Sequence, residues 1–104
     1  MKIFNTSDIE AFASALATDL ARRFPPASES RTDAGAMKQL QVIMDGLGAR
    51  AVRFKGERSL GIYGKAKLAN TFRWKLKDLG YSELFSEANS KRLVTLLAMK
   101  VRAD

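Results

Sequence analysis

Between Ser7 and Pro26 the chain writes out a complete helix, with a start, an apolar stripe and a stop. Ser7-Asp8-Ile9-Glu10 has the form of a capping box, with Ser7 as the cap and Glu10 reaching back to it. Ile9, Phe12, Ala13, Leu16, Leu20 and Phe24 follow at spacings of three and four, which sets them on one side of a helix. Asp8, Thr18, Asp19 and Arg22 fall outside that stripe. Pro25-Pro26 ends the run, because the residue before a proline is pushed out of the helical region. A helix with one apolar side must bury it against other elements, so the rest of the chain has to supply partners.

The later segments supply them with the same period. Residues 25–32 form a polar loop without an apolar anchor, the place where disorder or nicking is expected. A second helix starts near Ser30 or Thr32, with Ser30 and Asp33 as a capping pair. Met37, Leu40, Met44, Leu47, Ala51 and Phe54 then alternate at three and four, straight through Gly46 and Gly48. The unbroken seam predicts one helix to about Phe54, stopping at Gly56. The competing reading ends it at Gly46–Gly48 and pairs 50–55 with 59–63 as a short hairpin. A third helix runs from a cap at Ser59 to Leu79, with Gly80 as its stop. Leu68, Ala69, Phe72, Leu76 and Leu79 form its apolar stripe. After Tyr81, SELFSEA reads as a short helical turn. Leu93, Val94, Leu96, Leu97, Met99 and Val101 then cover more than half of a helix, as in a central helix or one shared with a second subunit. The expected fold is all-α, one domain over 1–104, a small bundle of four or five helices.

Charge is distributed unevenly along this frame. Residues 50–77 hold nine of the 18 basic residues and one acid, Glu57. The segments on either side are close to neutral, so the net charge of +7 comes from these 28 residues. Such clustering suggests a polyanionic partner; the plainer reading is a solvated, solubilising face. The chain has no cysteine and no histidine. That removes disulfides, thiol nucleophiles, the commonest zinc ligands and the commonest general base. Asp8, Glu10 and Asp19 read as ordinary members of a solvent face, and no carboxylate pair stands out for catalysis. No apolar run approaches the length of a membrane span or a signal peptide, so a cytosolic location is expected, with no membrane, metal or cofactor.

The third helix carries the feature of interest. Opposite its apolar stripe stand Tyr63, Lys67, Asn70, Trp74 and Lys77, at spacings of four, three, four and three, with Arg73 and Ala66 at the margin. Aromatics opposite a core stripe mean either burial on two sides or a binding surface. Ser59-Leu-Gly-Ile-Tyr-Gly-Lys-Ala66 departs from a phosphate-binding loop at its first glycine and at its hydroxyl position, so nucleotide hydrolysis is rejected. The acid-free first turn with Gly61, Gly64 and Lys65 could still hold one phosphate, or the glycines could serve close packing.

The leading expectation is a non-enzymatic nucleic-acid-binding or nucleic-acid-associated protein. Arg53, Lys55, Arg58, Lys65, Lys67, Arg73, Lys75 and Lys77 would meet phosphates, and Tyr63, Asn70 and Trp74 would meet bases. Charge reversal at Lys67 and Lys77 is expected to abolish binding without harm to the fold. The alternative is a helical protein–protein module, a homodimer or one with an acidic protein partner, in which Tyr63, Trp74 and the C-terminal helix are contact surfaces.

Overall fold

A computed structural model describes residues 6–98 as α1 (Thr6–Arg23), α2 (Ala34–Arg58), α3 (Ile62–Leu79) and α4 (Glu83–Ala98), with a 3-10 turn at Pro26–Ser28. No strand occurs among the described residues, so the hairpin alternative at 50–63 does not form. The apolar seam carries α2 unbroken through Gly46, Gly48 and Gly56 to Arg58. Met99 and Val101, counted in the last apolar run, lie outside the described residues.

The helices close in the order α1, α3, α4, α2, with α1 resting most broadly on α3 and only lightly on α2. Cross-helix bonds give their directions. Asp8 meets Arg58 and Asp19 meets Arg50, so α1 and α2 run antiparallel. Lys67 meets Glu10, and Tyr81 just beyond α3 bonds Phe24 just beyond α1, so α1 and α3 run the same way. Ser90 bonds Ala69 and Glu83 meets Lys77, which sets α4 antiparallel to α3. The body measures 48 × 34 × 19 Å, thin enough for every helix to keep one face in water.

One contiguous core includes Ile9, Leu16, Leu20 and Phe24 of the first segment with Met44, Leu47, Leu68, Phe72, Leu76, Leu93 and Leu97. The α1 and α3 stripes enter it as the periodicity predicts. Two expectations do not survive. Met37 begins the predicted α2 seam but is 49 % exposed, its place inside being taken by Ala36 one residue earlier. The last helix is not central either: Leu93 and Leu97 are buried, yet Val94 is exposed and the inner face continues with Ser86, Asn89 and Ser90. Of these, Ser90 joins the α3–α4 contact, its hydroxyl donating to the Ala69 carbonyl at 2.9 Å.

Caps account for most shifts in helix boundaries. Ser7 lies inside α1, one residue past Thr6. Asp33, not Ser30 or Thr32, caps α2, its carboxylate accepting the Ala36 N–H at 3.0 Å. Ser59, expected to open α3, instead closes α2 in the left-handed region, with φ 55°. That reversal turns Leu60 into the core and leaves Gly61 to start α3. Gly80, at φ 113°, stops α3 where predicted, a conformation that costs glycine little.

The 25–33 loop is anchored rather than loose. Glu29 accepts the Ser82 N–H at 2.8 Å, and Ser82 Oγ accepts the Phe85 N–H, so two side chains cap the start of α4. The Tyr81 hydroxyl donates to the Phe24 carbonyl, and Gln39 donates to the Arg23 carbonyl at 3.1 Å, which satisfies the end of α1. Burial within this knot pushes the Tyr81 phenol up to about 12, and nearby Glu29 adds to the effect.

The two mid-helix glycines of α2 are not equivalent. A Cβ at Gly46 meets nothing within 4 Å, whereas one at Gly48 would lie 2.4 Å from Leu96 Cδ1 and 3.1 Å from Leu96 Cβ. Gly46→Ala should therefore stabilise the fold by about 0.5–1 kcal/mol through helix propensity. Gly48→Ala should destabilise it by about 1–3 kcal/mol, because α2 and α4 must part. Urea titration of the two variants checks the opposite signs.

Candidate nucleic-acid interface

The candidate face lies on α3, whose inner stripe is used by the core. Leu68, Ala69, Phe72 and Leu76 are buried against neighbouring helices, which fixes the helix rotation and turns the opposite side outward. Tyr63 and Trp74 are 66 % and 50 % exposed, so neither aromatic is core. Asn70 between them is exposed, and Lys67 and Lys77 are partly so. Tyr63 and Trp74 stand about 16 Å apart along the helix. Gly64 is buried, which assigns it to packing rather than to ligand approach.

Cations flank the Trp74 ring. Lys77 Nζ lies 4.4 Å from its centroid and the Arg73 guanidinium carbon 5.1 Å. Both also reach Glu83 at the start of α4, Lys77 at 2.6 Å and Arg73 at 3.4 Å. The hydrogen-bonded Lys77 ammonium, helped by Arg73, holds the Glu83 carboxyl below its ordinary value. On the α1 side, Lys67 bridges to Glu10 at 2.9 Å, which raises the lysine above its ordinary value.

The eleven residues singled out in the sequence separate into three groups. Tyr63, Lys67, Asn70, Trp74 and Lys77 share the outer face of α3, with Arg73 at its edge. Lys65 and Lys75 are partly buried and lie about 200° and 120° around α3 from Tyr63. Arg53, Lys55 and Arg58 belong to α2, where two of them pin the fold. Lys55 donates to the Leu97 carbonyl near the end of α4 at 2.8 Å, and Arg58 bridges to Asp8 at 2.7 Å. Arg53, Lys65 and Lys75 have no ionic or hydrogen-bond partner among the described residues.

Sequence reasoning missed the acids. Glu10 and Glu83 come from other helices, so no spacing rule along α3 reveals that they meet its cations, and Asp8 of α1 likewise meets Arg58 of α2. Asp19 departs furthest from its expected solvent position. It is 6 % exposed and holds Arg22, Arg23 at 3.4 Å and Arg50 at 2.8 Å. Burial raises its carboxyl, but Arg23, Arg50 and Arg22 together outweigh this and leave it below the ordinary value. The signal available in the sequence was Arg22-Arg23 at the third and fourth positions after Asp19.

With Glu10 and Glu83 opposing them, Lys67 and Lys77 are structural as well as exposed. Reversing their charge would set like charges together at both sites, so that double variant no longer isolates binding from folding.

The described residues contain no group of three or more side chains suited to a metal, and no helix long and apolar enough to cross a membrane. A scan against protein-family models and searches of curated proteins and of solved structures returned no significant match.

Proposed function

We propose that this is a non-enzymatic, cytosolic protein that binds nucleic acid along the outer face of α3, with a preference for single strands. The observation that carries the reading is the half-exposed Trp74, opposite the core stripe and between Lys77 and Arg73. A tryptophan in that position offers a stacking surface, and only an unpaired strand can present a base to it. Tyr63 offers a second surface, and Asn70 between them can bond a base edge or a phosphate. Lys67, Arg73 and Lys77 then exchange their carboxylates for phosphates. Exposed ion pairs are worth only about 0–1 kcal/mol, so the exchange is inexpensive. Lys65, Lys75 and Arg53 add charge that no acid among the described residues answers.

The exposed Ile62, Tyr63 and Trp74 would also suit contact between two copies. A two-fold contact, however, would bring the cations of this face on one copy against those of the other, and like charges brought together are unfavourable. Charge therefore favours an anionic partner on this face over a second copy.

Fluorescence anisotropy of labelled single- and double-stranded oligonucleotides across a salt series tests the reading. Binding should weaken as salt rises, favour the single strand and quench Trp74 emission. Trp74→Ala should weaken it by about tenfold, the loss of one stacked base, and leave the melting temperature unchanged. Absence of binding at low salt, or equal binding by the variant, would sink the reading.

A further inference from the structure

Asp19 is the one charged side chain that the fold buries among the described residues. Three guanidiniums gather on it: Arg22 and Arg23 share its Oδ1, and Arg50 takes its Oδ2 at 2.8 Å. A single arginine neutralises a single carboxylate, so the cluster carries an excess of two positive charges. No other acid among the described residues reaches these three arginines. Their side chains are 72 %, 59 % and 48 % exposed, and Asp19 takes only part of their N–H donors. A guanidinium held in place by its partner presents the remaining donors as a fixed fork, the geometry that phosphate oxygens accept.

The end of α1 does not use these donors up. Gln39 answers the Arg23 carbonyl and Tyr81 the Phe24 carbonyl, so neither falls to the arginines. Because α1 and α2 run antiparallel, the turn after Asp19, with Arg22 and Arg23, is level with the turn before Arg50, which carries Gly46. Gly46 is exposed and lies about 40° around α2 from Arg50. No packing asks for a glycine there, since a Cβ would meet nothing within 4 Å, in contrast to Gly48. The missing side chain leaves helix backbone bare beside the cluster, where a ligand can come close. We infer that Arg22, Arg23 and Arg50 bind a phosphate dianion, free or at the end of a phosphomonoester, in the space beside Gly46. The two unanswered charges match a dianion, and the three forks match its oxygens. Asp19 acts through the arginines, as the residue that positions them. The site lies on the α2 side of α1, whereas α3 meets α1 through Glu10, so it does not depend on the reading of the Trp74 face.

The test titrates the full chain with inorganic phosphate and with O-phosphoserine at constant ionic strength, made up with sodium chloride, and follows the arginine Nε–Hε signals by NMR. The signals of Arg22, Arg23 and Arg50 should move together and saturate with a Kd of about 1 mM or tighter. Phosphoserine bound as well as phosphate identifies the phosphomonoester as the occupant, and tenfold weaker binding identifies the free anion; either supports the site. Arg22→Gln with Arg50→Gln should weaken binding by tenfold or more. Gly46→Glu should do the same by setting a carboxylate beside the arginines, and its open, exposed position lets the fold survive, which urea titration verifies. Arg31→Gln with Lys38→Gln removes the same charge elsewhere and should change binding less than twofold. Failure to saturate by about 10 mM, full binding by Gly46→Glu, or equal loss in the two charge-neutralised pairs would overturn the inference.

Discussion

Phe72→Ala is expected to remove about 3–5 kcal/mol of folding stability, the usual cost of emptying a fully buried aromatic site. Phe72 has no exposed surface and sits at the middle of α3, the helix that packs on both α1 and α4. The surrounding side chains cannot collapse into the space without breaking one of those two contacts. Small domains are stable by only about 5–15 kcal/mol, so the variant should lose a large share of the total and melt well below the parent. Trp74, two residues further on, provides the contrast, since its truncation should leave melting unchanged. Thermal melts of the two variants in parallel check this. Equal destabilisation by both would mean that α3 is rotated from the position described here.

Asp19→Asn is expected to lower stability at neutral pH by about 2 kcal/mol. The substitution keeps the shape of the side chain but removes the charge that gathers Arg22, Arg23 and Arg50. Breaking a fully buried pair costs about 3–5 kcal/mol, and an exposed one about 0–1 kcal/mol. Asp19 is buried, but its arginines remain exposed by about half or more and regain water, so an intermediate figure applies.

The pH dependence follows from the direction of the shift. The folded carboxyl is held below its ordinary value of 3.8, so the stabilisation is complete above that value and is lost as pH falls through the lower folded one. Asp33 and Glu83 are displaced in the same direction, Asp33 by the Ala36 N–H first and Glu83 by Lys77 first. The parent should therefore lose stability on acidification below about pH 4. Asp19→Asn should lose less over the same range, and the two proteins should converge. Urea titrations between neutral pH and the acid limb test this, and parallel curves would show that Asp19 contributes no charge-dependent stability.

Local rules reached as far as single elements. The stripe of α1, the unbroken seam of α2, the inner and outer faces of α3 and the stop at Gly80 are set by backbone geometry that repeats every turn. The sequence therefore placed Tyr63, Lys67, Asn70, Trp74 and Lys77 on one face before any contact was known. It could not choose between exposure and two-sided burial for Trp74, because that depends on which helices flank α3.

The roles of the cations were equally out of reach. Lys55, Arg58, Lys67, Arg73 and Lys77 look alike in a basic run, and only the packing brings Leu97, Asp8, Glu10 and Glu83 to them. Gly46 and Gly48 differ only in what lies across the interface. Asp19 appeared to be a solvent residue because its third arginine, Arg50, is 31 positions away in the chain. By itself the sequence determined that the chain is helical and which side of α1 and of α3 is apolar, since both follow from the 3.6-residue period. The tertiary structure decided which charges are answered and which aromatics stay open, since those depend on distances between helices that no local period encodes.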